Sequence, residues 1–558
     1  MEKIVIYQVL PRLFGNRSKR CQPKGTIEQN GCGKFNDFTP EILQRLKKFG
    51  ITHVWYTGLI RHATTTDYSA YGIPRQHPAI VKGKAGSSYA VADYFDVDPD
   101  LAVDVNNRMQ EFEALIKRTH DNGLKFILDF VPNHVARQYY SIVKPDGVVD
   151  LGEGDDQKAH FSPNNNFYYF PGQPFVLPEP LRGVKDSDGK VYEENPAKAT
   201  GNDRICPSAE YNDWYEAIKL NYGIDFLGGH SCHFDPPPST WKKMTEILIY
   251  WASKGIDGFR CDMAEMVPAP FWAFATRNVK MQYPDIIFIG EVYDPNQYRN
   301  YIQSGFDYLY DKVGMYDTLR NCICHNCATQ EITYRWENTM DIWDHMLYFL
   351  ENHDEQRIGS DFFAGNGLKA IPAFTIEVLM NKNPVMIYAG QEFGERGMDC
   401  EGFSGEDGRT TIFDYWSPDA LRNGFYNQKA LTTEQVDLYE DYKNILQLPK
   451  AHKAIKEGAF FDLLYVNGHL ANRQYPFLRY KDDEILLIIA NFDDNAASCD
   501  VNIPKAAFDA MQLHPGKYTA SDLLANYEFE ANLQPDSPIH VDVPPYRAIV
   551  LRLFKPTY

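Results

Sequence analysis

The sequence is poor in cysteine, in positive charge and in long apolar runs, and each deficit excludes a class of protein. Ten cysteines in 558 residues are too few for a disulfide-stabilised scaffold. Lys and Arg total 56 against 75 Asp and Glu, which gives a net charge of −19, whereas a nucleic acid or an anionic membrane attracts a basic face. No segment approaches the roughly 18 consecutive apolar residues of a membrane span. We therefore expect neither a nucleic-acid partner nor a membrane association.

The amino terminus lacks the pattern of a signal peptide. Its short apolar run is broken by Gln8 and followed at once by Pro11 and Arg12, which favours a strand. We expect a cytoplasmic protein, although a leader that has been removed would leave the same sequence.

One group of cysteines has the residue types of a metal site. Cys322, Cys324 and Cys327 flank His325, but their spacing matches no standard zinc motif. Reduced thiols in a cytoplasmic enzyme are therefore the preferred interpretation, and a metal site is the alternative.

Apolar residues make up 44% of the chain and charged residues 23%, which is enough for a large core. Apolar strands separated by amphipathic helices indicate a parallel sheet buried on both faces. The predicted helices include residues 39–50, 108–123, 239–255 and about 369–382. Eight strands are predicted, at residues 4–10, 52–58, 125–134, 258–262, 286–292, 308–314, 345–354 and 384–394. Eight strand–helix units in about 450 residues predict an α/β fold, a (β/α)8 TIM barrel.

Two regions depart from this alternation. Residues 135–225 are rich in Gly, Pro, Asn and Asp, and they are too long for an ordinary loop, so we expect an inserted subdomain after the third strand. Residues 477–492 and 539–554 alternate apolar with polar side chains, which favours a C-terminal antiparallel β-sandwich. The predicted domains are the catalytic barrel at 1–134 and 226–455, the insertion at 135–225 and the sandwich at 456–558.

Charged and polar side chains follow several predicted strands where they end. The carboxyl ends of all barrel strands point to one mouth, and a carboxylate there is unfavourable unless it is paired or used. A structural ion pair would explain any one of these residues, but four carboxylates at four strand ends favour a functional site. The residues concerned are Asp129, Asn133, His134, Arg260, Asp262, Glu291, His353 and Asp354.

Such a cluster has the groups needed to cleave a glycosidic bond. When two carboxyls lie about 5–5.5 Å apart, one attacks the anomeric carbon while the other protonates the leaving oxygen and later activates water, which retains the configuration. A third carboxylate nearby would raise the pKa of the acid, and an arginine between them would keep the nucleophile ionised.

The segments at these strand ends form recognisable motifs. They are LDFVPNH (128–134), GFRCD (258–262), GEVYD (290–294) and FLENHD (349–354), with YAGQEFG (388–394) on the eighth strand and IYQVLPRLF (6–14) on the first. In sequence, order and strand placement they resemble the signature regions of the alpha-amylase family of glycoside hydrolases (glycoside hydrolase family 13). The resemblance covers the barrel, the insertion and the C-terminal domain.

The resemblance implies a catalytic role for three of these positions and places Arg260 with the substrate-binding residues. Asp262 would be the nucleophile, Glu291 the general acid and base, and Asp354 the stabiliser of the transition state. Arg260 would orient Asp262 and support its charge.

The resemblance also implies contacts to the substrate. His134 and His353 would bind hydroxyls of the sugar whose bond is cut. Tyr89 matches a family tyrosine that stacks beneath that ring, with an ordinary loop aromatic as the alternative. Asp129 would brace the site through hydrogen bonds to its neighbours.

The sequence departs from the family pattern after the fourth strand. Glu265 and Met266 stand where many members have a Lys-His pair that contacts the sugar on the leaving-group side, so acceptor contacts must differ. The backbone of that His also helps to form the frequent calcium site, with the Asn matched by Asn133. A structural calcium ion is therefore one alternative that the resemblance leaves open, while the reaction itself would require no cofactor. The insertion adds aromatics that either stack on sugars or pack the insertion: Tyr168, Tyr169 and Trp214.

We predict a retaining hydrolase that cleaves alpha-1,4-glucosidic bonds in starch-type glucans or malto-oligosaccharides. The nearest alternative is a glucanotransferase, which would use the same residues but pass the glycosyl group to a sugar acceptor. A non-catalytic glycan-binding protein is a further alternative, but all three catalytic carboxylates are present. A metal-dependent hydrolase is another alternative, although the charge of Arg260 would repel a divalent metal ion. The metal ligands would be Asp129, His134, Asp262, Glu291 and His353. The partner is a carbohydrate, and the oligomeric state is left open.

Overall fold

The computed structural model describes residues 3–555, so the first two and last three residues of the predicted domains lie outside the described residues. Eight short strands form its centre, each within one of the predicted segments. They are β1 Val5–Val9, β2 His53–Tyr56, β3 Lys125–Phe130, β4 Gly258–Cys261, β5 Ile287–Gly290, β6 Tyr308–Tyr310, β7 Met346–Phe349 and β8 Val385–Tyr388.

These strands close into a parallel barrel. Each strand pairs with its neighbour in the chain, and β8 closes on β1, where Val5 aligns with Val385. Between β3 and β4, Asp129 aligns with Arg260, so that two predicted site residues lie side by side. The predicted (β/α)8 barrel is therefore confirmed.

Helices alternate with these strands. They are α1 Pro40–Phe49, α2 Arg108–Asp121, α3 Ser239–Ser253, α4 Ala269–Gln282, α5 Tyr298–Gln303, α6 Asp317–Ile323, α7 Gln330–Asn338, α8 Ile371–Leu379, α9 Asp419–Tyr426 and α10 Thr433–Ala451. The bounds of α1 follow from its end residues, since the Thr39 hydroxyl caps the amino end and Gly50, with a φ of 130°, ends the helix. Within residues 3–555, no helix is both long and apolar enough to cross a membrane.

The barrel interior changes from apolar to polar along the strands. Its lower part is a buried cluster that includes Ile6, Trp55, Ile127, Ile289, Leu347 and Met386. Side chains two residues apart on a strand share a face, so Asp129 lies above Ile127 and Glu291 above Ile289. Asp129 and Glu291 therefore stand on the inner face, directly above the apolar layer.

The segment after β3 folds as short antiparallel pairs. His134–Ala136 pairs with Ala217–Lys219, and Tyr169–Phe170 pairs with Ala197–Lys198. Its own apolar cluster includes Tyr168, Phe170, Phe175, Leu177 and Tyr215, together with Ala79 and Ile80 from the loop after β2. The first of these pairs connects the far end of the insertion to the end of β3, which brings residue 219 beside the barrel mouth. The domain boundaries at 134, 225 and 455 stay predictions.

The carboxyl-terminal region is antiparallel. Its strands are β9 Ala459–Asp462, β10 Gln474–Lys481, β11 Glu484–Asn491, β12 Ala497–Asn502, β13 Gly516–Asp522, β14 Tyr527–Leu533, β15 Pro538–Val543 and β16 Ala548–Phe554, with helix α11 at Lys505–Met511. Six of them form one sheet in the order β9-β10-β11-β16-β13-β14, and β12 pairs with β15. The predicted antiparallel arrangement of the C-terminal strands is confirmed.

Candidate active site

Arg260 lies at the centre of the polar group at the barrel mouth. Its side chain is 1% exposed, and Nη1 contacts Asp262 Oδ1 at 2.9 Å and Asp129 Oδ1 at 3.2 Å. The other terminal nitrogen, Nη2, lies 2.8 Å from Glu291 Oε2. Since Asp262 and Glu291 contact one rigid guanidinium, their contacting oxygens lie within the ~9.5 Å upper limit of carboxyl separations in glycoside hydrolases.

Aromatic side chains enclose this guanidinium. The rings of Trp55 and Tyr310 lie with their centres 4.9 and 5.5 Å from Arg260 Cζ, within the range of cation–π contacts. The Tyr310 hydroxyl accepts a hydrogen bond from Arg260 Nε at 3.2 Å, and Trp55 Nε1 donates to Asp129 Oδ2 at 3.0 Å. Asp129 therefore links β2, β3 and β4, an arrangement that suits the bracing role predicted for it.

Both oxygens of Glu291 have partners. Besides its contact with Arg260, Oε2 accepts a hydrogen bond from the backbone N–H of Met263 at 2.7 Å. Oε1 receives the hydroxyl of Tyr293 at 2.6 Å. Because Oε2 already accepts the Met263 N–H and lies beside the Arg260 guanidinium, neither of which gives up a proton, a proton on this carboxyl would occupy Oε1, beside the Tyr293 hydroxyl.

His353 connects the seventh strand end to Tyr89. Its Nδ1 lies 2.7 Å from Gln8 Nε2. The other ring nitrogen of His353, Nε2, lies 2.6 Å from the Tyr89 hydroxyl and 3.1 Å from Asp354 Oδ2. The rings of Tyr89 and His353 also stack, with centres 5.1 Å apart and planes at 20°. The structure thus brings Tyr89, His353 and Asp354 together at one side of the mouth.

His134 lies at another side, next to the insertion. Its ring centre is 5.0 Å from that of Trp214, and its Nδ1 faces Asn133 Nδ2 at 3.1 Å. Burial lowers the pKa of His134 to about 3, and the charge of Lys219 contributes to the decrease. His134 is therefore neutral at physiological pH and is suited to hydrogen bonding rather than to carrying charge.

The carboxylates outnumber the positive charge that they surround. Burial raises the pKa of Asp262 well above its ordinary range, and the three neighbouring carboxylates raise it further. Arg260 acts in the opposite direction, but its effect is smaller than that of burial. The pKa of Asp262 is therefore raised overall. The sequence alone predicts that Arg260 keeps this carboxyl ionised, that is, lowers its pKa. Asp354 differs, because His353, whose Nε2 lies 3.1 Å from its Oδ2, lowers its pKa.

Asn133 is not arranged as the calcium ligand that the resemblance implies. Its Oδ1 accepts a hydrogen bond from Lys219 Nζ, and its Nδ2 donates to Gly201 O at 2.8 Å. The same ammonium lies 3.1 Å from Met266 O and 2.7 Å from Asp203 Oδ1. Calcium takes six to eight oxygen ligands, and here a buried cation already binds the oxygens that would hold it. The residues present do not fit a calcium ion.

Glu265, which stands where many family members have a lysine, has hydrogen-bond partners in the segment after β5. Its Oε2 accepts hydrogen bonds from the backbone N–H groups of Tyr293 and Asp294, at 2.9 and 3.0 Å. A lysine, which has no acceptor, could not make these contacts. Glu265 therefore fixes the segment after β5 that places Tyr293 against Glu291.

The aromatics of the insertion divide into two kinds. Tyr168 and Tyr169 are each 1% exposed, and their hydroxyls bind Ile224 O and Asp155 Oδ2 at 2.8 and 3.0 Å. Tyr168 and Tyr169 therefore pack the insertion, which is one of the two roles considered for them, the other being stacking on sugars. Trp214 instead lies beside His134.

The cysteine group does not converge on a common point. Cys322 and Cys327 have their sulfurs 3.5 Å apart, but His325 turns its Nε2 to Phe492 O at 2.7 Å. In the part of the chain from residue 3 to 555, no three His, Cys, Asp or Glu side chains are grouped as metal ligands. The thiols here are free.

Several residues of this site escaped the sequence analysis. Gln8, Trp55 and Tyr310 belong to predicted strands, and the alternation of inner and outer positions could have pointed to them. Tyr293 lies within the quoted GEVYD motif, but its contact with Glu291 was not predicted, and no sequence signal marks Lys219.

Known proteins with related sequences and folds identify the family. Residues 8–458 match the profile of the alpha-amylase catalytic domain. Alpha-amylase 3 of Dictyoglomus thermophilum is 24% identical over 437 residues, covering 73% of this chain and 74% of that protein. A cyclomaltodextrinase of a Bacillus species is 21% identical over 515 residues, covering 88% and 72%. The crystal structure of an alpha-amylase from Geobacillus thermoleovorans, complexed with acarbose, superposes with a TM-score of 0.64 at 19% identity, covering 100% and 99%.

The barrel and the carboxylates at its mouth are the features of a TIM-barrel glycoside hydrolase. The profile match extends over most of the chain, from the first barrel strand into the region after α10. The chain therefore belongs to the alpha-amylase family, and it is an alpha-amylase-type glycosidase. The family resemblance drawn from the sequence is confirmed.

The raised pKa of Asp262 can be tested without a substrate. The measurement is the difference infrared spectrum between the wild-type protein and Asp262→Asn, recorded as the pH is lowered. The band of the protonated Asp262 carboxyl should appear at a pH well above about 3.9, the ordinary pKa of an aspartate. The reason is that burial and neighbouring carboxylates favour the neutral form. An Asp285→Asn control, at the exposed amino end of β5, should leave the Asp262 band in place. A band that titrates at or below 3.9 for Asp262 would contradict the electrostatic account.

Proposed function

We propose that this chain is a retaining glycoside hydrolase that cleaves alpha-1,4-glucosidic bonds in starch-type glucans or malto-oligosaccharides by double displacement. One observation carries the proposal: Asp262 and Glu291 contact the two terminal nitrogens of a single guanidinium, at 2.9 and 2.8 Å. This arrangement holds two carboxyls on the same side of the barrel mouth with a fixed spacing. Two such carboxyls are what a glycosidase of this kind needs.

In the first step, Asp262 attacks the anomeric carbon. Its oxygen forms the new bond as the glycosidic bond breaks, and Glu291 transfers its proton to the leaving oxygen. Glu291 Oε1 is the oxygen that delivers this proton, since Oε2 is held by Arg260 and Met263 N–H. Asp354 stabilises the positive charge that develops on the sugar ring.

In the second step, water replaces the enzyme on the sugar. The Glu291 carboxylate, which is now without its proton, takes one from a water molecule, and the water oxygen attacks the anomeric carbon. The bond to Asp262 breaks, and its carboxylate returns to Arg260. Two inversions at one carbon give overall retention.

The sugar that undergoes cleavage contacts the residues on both sides of the mouth. His353 and His134 bind its hydroxyls, and Tyr89 and Trp214 offer aromatic surface to its apolar faces. The support for a glucan substrate comes from this combination of aromatic rings and histidines, and from the relatives. Those include a cyclomaltodextrinase and an alpha-amylase structure that contains acarbose.

Replacement of either proposed catalytic carboxyl tests the roles. Asp262→Asn and Glu291→Gln should each lower kcat by at least about 10³-fold, since they remove the nucleophile or the proton donor. Glu291→Gln should still bind a malto-oligosaccharide in calorimetry. The matched control, Asp285→Asn, lies at the opposite end of β5 and should retain wild-type kcat. Normal turnover in Asp262→Asn or Glu291→Gln would refute the assignment.

The products of maltoheptaose test the reaction type. A hydrolase that cleaves alpha-1,4 bonds should give only shorter maltodextrins at every time point, which chromatography of timed samples resolves. Products longer than maltoheptaose as the main species would contradict hydrolysis and identify the enzyme as a glucanotransferase. A failure to consume maltoheptaose would contradict the proposed substrate class.

A further inference from the structure

Three oxygen atoms from separate parts of the chain converge on the ammonium of Lys219. Asn133 Oδ1 comes from the segment that follows β3, and it accepts a hydrogen bond from Nζ. Met266 O follows β4 and lies 3.1 Å from Nζ, while Asp203 Oδ1 belongs to the insertion and lies at 2.7 Å. An ammonium has three donors and no acceptor. Its hydrogen-bonding capacity is therefore matched by these three oxygens.

The backbone of Lys219 is fixed as firmly as its ammonium. The residue is 2% exposed, and it lies on the short strand Ala217–Lys219, directly opposite His134. Its N–H donates to Ala199 O at 2.9 Å, and the next residue, Leu220, donates to Asn133 O at 3.0 Å. The side chain thus starts from a rigid position beside the barrel mouth and reaches across to β4.

The set of acceptors around Nζ consists of an amide oxygen, a main-chain carbonyl and a carboxylate. These are the groups that calcium prefers in proteins. A divalent ion could use them only if the ammonium moved away, because two buried cations on shared ligands repel each other. The same oxygens can therefore hold either the ammonium or a metal ion, but not both.

We propose that Lys219 serves as a built-in cation, in place of a calcium ion, that joins the insertion to the ends of β3 and β4. The ammonium connects Asp203 of the insertion to Asn133 and Met266 of the barrel, and so holds the segment that carries His134. The chain then needs no metal for the order of its barrel mouth. This inference concerns stability and metal binding, so it does not depend on the function proposed above.

The test compares the thermal unfolding of four proteins with and without millimolar calcium. The wild-type Tm should be the same in calcium and in chelator. Lys219→Ala should unfold roughly 5 °C lower in chelator, because the Asp203 carboxylate and two further acceptors lose their partner, and calcium should recover part of this loss. Lys219→Ala with Asp203→Asn should lose the response to calcium. The matched control is Lys280→Ala, which removes a partly buried ammonium bound to Gly305 O and to Asp307, and its Tm should not respond to calcium.

Two outcomes would overturn the proposal. One is a wild-type Tm that rises with calcium as much as that of Lys219→Ala, since the ion would then bind beside the lysine. The other is a Lys219→Ala protein with an unchanged Tm and no response to calcium. Titration calorimetry on the wild-type chain remains decisive if Lys219→Ala does not fold. The proposal predicts that calcium does not bind to the wild-type chain at this site. Calcium binding to the wild type that is lost in Asn133→Ala would refute the proposal.

Discussion

The barrel mouth depends on one buried ion cluster, in which the guanidinium of Arg260 contacts Asp129, Asp262 and Glu291. A buried charge without a partner destabilises a protein by several kcal/mol, so none of these four groups is tolerable alone. Together they form ion pairs around Arg260, and the rings of Trp55 and Tyr310 pack against the guanidinium. The planar fork of arginine also fixes directions, which the single point charge of a lysine would not do. The geometry of the two proposed catalytic carboxyls is therefore a consequence of how one cation is neutralised.

The same cluster carries more negative than positive charge, and the proposed reaction depends on this excess. Three carboxyls contact one positive charge, and Asp354 stands nearby with His353 as its own partner. The excess of negative charge favours the retention of a proton within the group, shared among coupled carboxyls. A glycosidase of this kind requires one protonated and one ionised carboxyl at the start of the reaction. Burial and crowding raise the pKa of Asp262 and so favour the presence of a proton within the cluster.

A second cation, Lys219, performs a mechanical task at the edge of the site. It binds oxygens of the insertion and of two barrel segments, and it lies opposite His134 on the neighbouring strand. A metal ion could join the same oxygens but would have to be acquired from solution. A covalently attached ammonium supplies one positive charge and three hydrogen bonds without that requirement. The order of the barrel mouth is then a property of the folded chain itself.

Much of this could be predicted from the sequence, and the reasons for success and failure are physical. The eight strands are apolar throughout and end in polar residues, and a barrel brings those ends together, so Asp129, Arg260, Asp262 and Glu291 were predictable as a group. Contacts that depend on loop conformation were not. Tyr293 reaches Glu291 only because Glu265 fixes the intervening backbone. The fit of Lys219 to Asn133 depends on how the irregular insertion returns to β3, and no periodic pattern encodes that path.

The central claim is that Asp262 forms a covalent bond to the sugar, and mass spectrometry of a trapped intermediate tests it most directly. The protein would be treated with a fluorinated glucosyl fluoride, whose ring fluorine slows the hydrolysis of the glycosyl-enzyme, and then digested. We expect one peptide, the one that contains Asp262, to gain the mass of a single fluoroglucosyl group, with fragmentation assigning the bond to that side chain. A label on Glu291 or on any other residue would contradict the account. So would turnover of the reagent to a product of inverted configuration with no labelled peptide.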